Sequence, residues 1–147
     1  TRLARYGACR VLAINYRKSP QYPFPYALED AVTAYRYLLE QGYAPERSTI
    51  AGDSAGGHLS LLTMQHLRDH GMPLPAAAVL ISPWTDLSCA SDSLHDNNLR
   101  DPYFWGKAIR KMGGFFAESR AADHPLLSPM NASFAGLPPM MIMVGSI

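Results

Sequence analysis

One short segment of the chain has residue types that could perform nucleophilic catalysis. Residues 52–56 read GDSAG and satisfy the pattern G-x-S-x-G, which places a serine on the sharp turn between a strand and a helix. The bare pattern arises by chance in about one chain in twenty of this length, given ordinary Gly and Ser frequencies. Here a β-rich run, Ser48 to Ala51, directly precedes it, and a helical segment, Gly57 to His70, directly follows it. This context predicts a nucleophile at Ser54.

Such a turn has steric and electrostatic requirements that these residues meet. The nucleophile is held in strained backbone geometry, so the residues two before and two after it approach closely. Gly52 and Gly56 have no side chain that could clash there. The start of the following helix directs N–H groups towards developing negative charge, which makes the Ala55 amide the natural first oxyanion donor. We therefore expect acyl transfer through Ser54, with the oxyanion held at Ala55.

Other roles for the same residues stay open. Ser54 could instead be the N-cap of the helix in a glycine-rich turn that performs no chemistry. Asp53 could be catalytic, but an Asp beside a nucleophile in a tight turn points away from it, so we expect a structural role. Gly57 extends the turn and is expected to belong to it.

A serine esterase also needs an imidazole base and a carboxylate that orients the base. His58 follows Ser54 by one helical turn and is expected to point along the helix rather than over the nucleophile. Asp86 is the best acid candidate within the chain, although stabilisation of a turn or loop is the more typical role at its position. The remaining histidines are expected in structural or solvated positions: His66, His70, His95 and His124.

The segments that must position Ser54 alternate between apolar runs of strand length and helical periods, which predicts parallel βα units. Parallel strands are covered on both faces, so helices are expected on both faces of the sheet. Ligands in such folds bind at the carboxyl ends of the strands. The expected strands are Val11–Ile14, Ser48–Ala51, Ala76–Ile81 and Met140–Val144, and the expected helices are Tyr26–Gln41, ended by Gly42 at positive φ, and Gly57–His70.

Residues 88–123 lack a clean period and are predicted to form a helical, cap-like excursion above the sheet. The aromatic residues in this region are more typical of a core than of a pocket. If they do line a pocket, it suits an acyl or aryl group. The residues expected at such a pocket are Trp84, Tyr103, Phe104 and Trp105, with Phe115 and Phe116 in the same aromatic group.

Several stretches together resemble the hormone-sensitive-lipase-like branch of the α/β-hydrolases, the α/β-hydrolase fold-3 esterases and lipases. They are GDSAGG at 52–57, NYRKSP at 15–20 with Phe24-Pro25 and Glu29-Asp30, ISPWTDL at 81–87, and PLLSP at 125–129 followed by GLPP at 136–139. The resemblance covers nearly the whole chain. It implies an eight-stranded sheet with a cap and ester hydrolysis by Ser, Asp and His, with Ser54 as nucleophile and Ala55 as oxyanion donor. Asn15 stands where the family usually has Asp, and Lys18-Ser19 where it usually has Leu-Ala, which puts the pairing of that loop in question.

The resemblance also implies that residues 1–147 form one partial α/β-hydrolase domain with strands four to seven of eight. The His-Gly-Gly-Gly oxyanion loop of the family would precede Thr1, and the catalytic Asp and His would follow Ile147. We therefore expect the chain by itself to be nearly inactive, as part of a carboxylic-ester hydrolase that forms an acyl-serine intermediate. A second hypothesis is a non-catalytic small-molecule receptor on the same scaffold, because the family includes receptors that keep the elbow and lose the histidine.

Composition argues against other classes. The net charge is +1, with no block of like charges, which disfavours nucleic acid as a partner. The resemblance to esterases implies a small-molecule ester as the partner instead. No metal set, phosphate loop or nucleotide fingerprint occurs, so neither a metal nor a cofactor is expected. Cys9 and Cys89 are expected to be free thiols, and no apolar run approaches the roughly 18 residues of a membrane span. A cytoplasmic location is slightly favoured, and the oligomeric state stays open.

Overall fold

The computed structural model describes residues 2–97, 99–101 and 105–145, so Tyr103 and Phe104 lie outside the described residues. Three strands and five helices of the described ranges build the fold. They are α1 (Arg2–Tyr6), α2 (Tyr26–Glu40), β1 (Thr49–Asp53), α3 (Ala55–Asp69), β2 (Ala77–Ile81), α4 (Asp92–Asp96), α5 (Gly106–Ala117) and β3 (Met140–Met143), with short 3₁₀ turns at Pro45–Arg47 and Pro129–Asn131.

The strands form a parallel sheet in the order β1-β2-β3. Gly52 of β1 is paired with Leu80 of β2, and Leu80 with Ile142 of β3, so residues on one face can be followed across all three strands. The connection from β1 to β2 runs through α3, as expected for a parallel βα unit. Three of the four predicted strands and both predicted helices are confirmed, and Gly42 follows α2 at φ +81°.

Helix α3 is the central element of the packing. Leu61 and Met64 lie fully buried on its sheet-facing side, against Ala78 and Leu80 of β2. Its other apolar side packs into a second cluster with α2 and α5. This cluster contains Leu59 and Leu62 of α3, Ala27, Leu28 and Ala31 of α2, Ala117 of α5, and Phe24, Leu87 and Leu127 from loops. α3 is therefore apolar on two sides, which is why ten of its residues are buried.

The opposite face of the sheet is open in the described part of the chain. Alternation along the strands places Ala51, Val79 and Met141 in one row across this face, and Ile81 and Met143 in the next. Met141 is 59% exposed and Ile81 is 44% exposed. Among the described residues, helical cover is therefore confined to the α3 face, and any cover of the second face comes from outside them.

The expectation of a strand at Val11–Ile14 is wrong for the described residues. No strand is formed there, and Val11, Leu12 and Ile14 are each more than one-third exposed. The free edge of β1 is not joined to this segment. An apolar run becomes a strand only where a neighbouring backbone supplies ladder hydrogen bonds, and the described chain supplies none at this position. The run instead borders a groove of about 430 Å³ against Thr33, Ala34 and Tyr37 of α2.

The predicted excursion at 88–123 is helical, with α4 and α5 inside it. α5 lies close to the loop after β2, because a Cβ on Gly113 would come within 2.8 Å of the Leu87 carbonyl oxygen. Cys89, also in this region, and Cys9 are both free thiols, as expected. No helix in the described ranges is long and apolar enough to cross a membrane.

Arg17 fixes the loop before α2 to the first turns of that helix. Its Nη2 lies 2.7 Å from Asp30 Oδ1, and its backbone N–H donates to Asp30 Oδ2 at 2.8 Å. The guanidinium also reaches Glu29 at 3.2 Å and stacks over the Tyr26 ring at 4.6 Å. These contacts explain why the Arg and the Glu-Asp pair occur together in the sequence.

Two residues that depart from the pattern of the resembled family contact each other in this loop. Lys18 Nζ donates to Asn15 Oδ1 at 2.7 Å and to the Tyr16 carbonyl at 3.0 Å. Asn15 and Lys18 are therefore paired with each other within the loop.

Replacement of Asp30 by Asn should lower the free energy of unfolding by about 1 kcal/mol, because it weakens a partly exposed, charge-assisted pair with several hydrogen bonds. The matched variant Glu29→Gln loses a single exposed contact and should change stability by less than about 0.5 kcal/mol. Urea denaturation followed by circular dichroism measures both. Equal effects of the two variants would contradict the special role of Asp30.

Candidate active site

Ser54 occupies the bend between β1 and α3 in a strained conformation. Its backbone has φ 53° and ψ −115°, a region that non-glycine residues rarely adopt. The residue is partly exposed, and the strand before it is extended and paired. Strain of this kind persists only where surrounding contacts hold it, and it is concentrated at functional sites.

Backbone hydrogen bonds hold the bend from both sides. The Ser54 N–H donates to the Ile81 carbonyl at 2.9 Å, and the Ser54 carbonyl accepts from the N–H groups of His58 at 3.0 Å and Trp84 at 3.2 Å. The neighbouring residue Ser82 is strained as well, with φ 41°, and its N–H donates to the Met143 carbonyl at 2.7 Å. The carboxyl ends of all three strands are thereby joined into one edge. Sequence reasoning missed Ser82, because the following Pro83 favours an extended conformation rather than a positive φ at that position.

Two glycines at the bend occupy positions that are too crowded for a side chain. A Cβ on Gly52 would overlap the backbone carbonyl of Gly56, and a Cβ on Gly57 would lie 2.8 Å from Pro83 Cβ. The expectation of a clash at Gly56 is wrong for the described residues, because a Cβ there meets no atom of theirs within 4 Å. Gly56 contributes its carbonyl to the close approach, whereas its own Cα–Cβ direction points into open space.

The first turn of α3 presents unused donors. The N–H groups of Ala55, Gly56 and Gly57 have no backbone acceptor within the described part of the chain, as is usual for the start of a helix. The first turn contains no acidic residue, and Ser54 makes no side-chain capping hydrogen bond to it. The geometry therefore disfavours a simple N-cap role for Ser54 and leaves the positive end of the helix free for an anion.

His58 lies in the core rather than over Ser54. Only 4% of it is exposed, its Nε2 lies 2.7 Å from the Leu127 carbonyl oxygen, and its ring meets Phe116 edge-on at 5.1 Å. Since a carbonyl only accepts, Nε2 carries the proton. Burial lowers the pKa of His58, partly opposed by the bond to Leu127.

The Asp86 carboxylate is hydrogen-bonded within its own loop. Its carboxylate accepts from the Ser88 N–H at 2.8 Å, from the Ser88 hydroxyl, and from the Ala90 N–H at 2.9 Å. Burial alone would raise the pKa of Asp86, but these hydrogen bonds hold it below its usual value. Buried Ser128 extends the loop contacts by accepting from the Leu87 N–H at 2.8 Å. Asp86 thus has the turn-stabilising role that the sequence favoured. The contribution of Ser128 had no local signal in the sequence beyond its place in the PLLSP stretch.

The other histidines form their contacts away from the bend. His66 and His70 stack on each other near the end of α3, and exposed His124 accepts from the Leu126 N–H at 3.1 Å. His95 is exposed on α4. Within the described ranges, no histidine forms a hydrogen bond with the Ser54 hydroxyl.

Of the predicted pocket aromatics, the structure describes Trp84 and Trp105. Trp84 is partly buried against the core, with Nε1 donating to the Asp86 carbonyl at 2.8 Å and its ring beside Gly113. Trp105 is 72% exposed at the start of α5. Tyr103 and Phe104 are outside the described residues, so the pocket stays a prediction. Asp53 is exposed at the end of β1.

No cluster of three or more potential metal ligands occurs in the ranges that the structure describes.

Comparison with known proteins defines the class. The family described as alpha/beta hydrolase fold matches residues 1–147, so the chain belongs to this family. Its structure is similar to that of an esterase from the bacterial hormone-sensitive lipase family, with a TM-score of 0.94 and 41% identity over 97% of this chain and 48% of the other.

Two relatives with assigned names make the comparison more specific. An acetyl-hydrolase of Streptomyces hygroscopicus is 50% identical over 136 residues, which cover 92% of this chain and 46% of that protein. An esterase of Acinetobacter venetianus is 31% identical over 147 residues, which cover 99% of this chain and 48% of that protein. The chain thus spans about half the length of these relatives.

Gly52→Ala should lower the free energy of unfolding by about 3 kcal/mol, because a methyl group there overlaps backbone that cannot move aside. Gly56→Ala, four residues away, enters open space at the start of a helix and should be neutral or stabilise by up to about 1 kcal/mol. Thermal denaturation of both variants measures the difference. A Gly52→Ala protein as stable as Gly56→Ala would show that the bend is not crowded.

The buried neutral His58 predicts a pH dependence of stability. Its folded pKa lies below the ordinary value of 6.5, so its contribution is complete above that value and is lost as the pH falls towards the folded pKa. The melting temperature should therefore fall between pH 7 and pH 5, and His58→Gln should reduce this slope, while exposed His124→Gln keeps it. Identical slopes in wild type and His58→Gln would contradict the assignment.

Proposed function

We propose that this chain is the nucleophile-bearing part of a carboxylic-ester hydrolase that works through an acyl-serine intermediate. The observation that carries the proposal is the strained, partly exposed Ser54 at the start of α3, with free amides beside it. The names of the relatives, an acetyl-hydrolase and an esterase, support a carboxylic ester as substrate.

In the proposed first step, Ser54 Oγ forms a bond to the acyl carbon while its proton passes to a base. The carbonyl electron pair moves to oxygen, and the resulting oxyanion is held by the Ala55 N–H at the positive end of α3. Collapse of this intermediate breaks the bond to the alcohol oxygen, which takes the proton and leaves. Water then attacks the acyl-serine, releasing the carboxylic acid and restoring the Ser54 hydroxyl.

The backbone hydrogen bonds at Ser54 hold the Ala55 amide rigidly in place. Ser54 is hydrogen-bonded through its N–H to the Ile81 carbonyl and through its own carbonyl to the His58 and Trp84 N–H groups. The backbone that carries Ser54 and the next amide therefore does not need to reorganise as charge develops. Gly52 and Gly57 permit the close approach that makes this network possible. Asp53, Gly56 and these two glycines are thus proposed to shape the turn.

The base and its orienting acid are proposed to come from parts of the full-length protein other than the described residues. The buried His58 ring is hydrogen-bonded to the Leu127 carbonyl. The Asp86 carboxylate accepts hydrogen bonds from the N–H groups of Ser88 and Ala90. Neither group is free to serve Ser54.

The proposal predicts that the protein expressed from its full reading frame hydrolyses p-nitrophenyl acetate, whereas the 147-residue chain does so no faster than its own Ser54→Ala variant. Loss of triad members slows serine hydrolases by roughly 10⁴- to 10⁶-fold. The measurement is release of p-nitrophenol from both proteins, with Ser54→Ala made in each.

Ser91→Ala, at an exposed serine on the excursion, is the matched control and should leave turnover of the full-length protein unchanged. Mass spectrometry after a fluorophosphonate probe should find the adduct on Ser54 in the full-length protein. A full-length protein that binds esters without turnover or adduct would favour the receptor hypothesis. Rapid, Ser54-dependent turnover by the short chain would show that base and acid lie within it.

A further inference from the structure

A pair of stacked histidines lies at the carboxyl-terminal end of α3. His66 and His70 are four residues apart, so one helical turn brings them to the same side of the helix. Their ring centroids are 3.9 Å apart, and the ring planes differ by 24°. His70 is exposed and His66 is partly exposed, so solvent and ions reach the pair.

Hydrogen bonding leaves ring nitrogens available for coordination. His70 Nδ1 lies 2.8 Å from the His66 carbonyl oxygen, which only accepts, so Nδ1 carries the proton and Nε2 keeps its lone pair. His66 forms no side-chain hydrogen bond with any described residue.

The spacing is that of two histidines that bind zinc from one helix face in H-E-x-x-H sites. Here the segment reads HLRDH, with Leu67 where those sites have a glutamate, so no general base accompanies the pair. The nearest carboxylate, Asp69, is held by Arg68 at 2.7 Å. The described residues contain no set of three or more potential metal ligands. The two imidazoles would therefore bind the metal ion, and water would occupy its remaining coordination positions.

We propose that His66 and His70 form a binding site for a divalent transition-metal ion that prefers imidazole ligands, such as Ni²⁺, Cu²⁺ or Zn²⁺. Both ligands belong to one helix, so rotation of the two rings out of their stack would assemble the site without any other part of the protein. Its two ligands lie twelve and sixteen residues beyond Ser54, about 18 and 24 Å along the helix axis, so the site is separate from the ester-hydrolase site. Bound metal would join the last turn of α3 to the residue that ends it.

Titration of the full-length, untagged protein with NiCl₂ in a calorimeter tests this site, since Ni²⁺ does not oxidise the free thiols. Removal of even an outer partner of a bound metal weakens affinity by about 10- to 100-fold, so loss of either imidazole should weaken Ni²⁺ binding at least about tenfold. The variants are His66→Gln and His70→Gln. His95→Gln and His124→Gln, at exposed histidines elsewhere, should bind as wild type does.

A second readout avoids variants altogether. Ni²⁺ should protect His66 and His70 together from modification by diethylpyrocarbonate in the wild-type protein, as mapped by mass spectrometry, while His95 and His124 continue to react. Wild-type affinity in both His66→Gln and His70→Gln, or protection of only one ring of the pair, would overturn the proposal. Because neither measurement uses ester turnover, the result is independent of the proposed function.

Discussion

The close approach of two backbone segments at the end of β1 is the constraint on which the rest of the structure depends. Gly52 passes so near the Gly56 carbonyl that no side chain fits between them, and this places Ser54 at positive φ directly before α3. The bend converts the direction of a strand into that of a helix within one residue. As a result, the hydroxyl of Ser54 and the first free amides of α3 share the same edge of the sheet.

The bend is stable because α3 is held on two sides. Leu61 and Met64 pack the helix against the sheet, whereas Leu59 and Leu62 pack it against α2, α5 and the neighbouring loops. The backbone strain at Ser54 and Ser82, about 1–3 kcal/mol per residue, is offset by the burial of these four side chains, about 1.5–3 kcal/mol each. The packing of α3 therefore supplies the rigidity that the proposed chemistry needs.

Three polar side chains, in loops and in α3, stabilise this arrangement and take no part in the proposed chemistry. Arg17 secures the entry to α2 through Asp30, Asp86 closes its own turn, and His58 connects the first turn of α3 to Leu127. Each of these groups could have been a catalytic candidate by residue type alone. Their hydrogen-bond partners lie in α2, in loops or in the core, which indicates a supporting role for all three.

The sequence by itself determined the local elements and the position of the bend. Glycine at 52, serine at 54 and an apolar run on either side are signals carried by neighbouring residues, and β1, α3 and β2 appear where these signals placed them. Only the tertiary structure decided whether Val11–Ile14 could be a strand, which of Gly52 and Gly56 is sterically required, and that Ser82 is strained. Those features depend on which backbone lies alongside, and contact across space is not encoded in the order of nearby residues. The same reason explains why His58 and Asp86 could be named as candidates from sequence but assigned to the core and to a turn only from their partners.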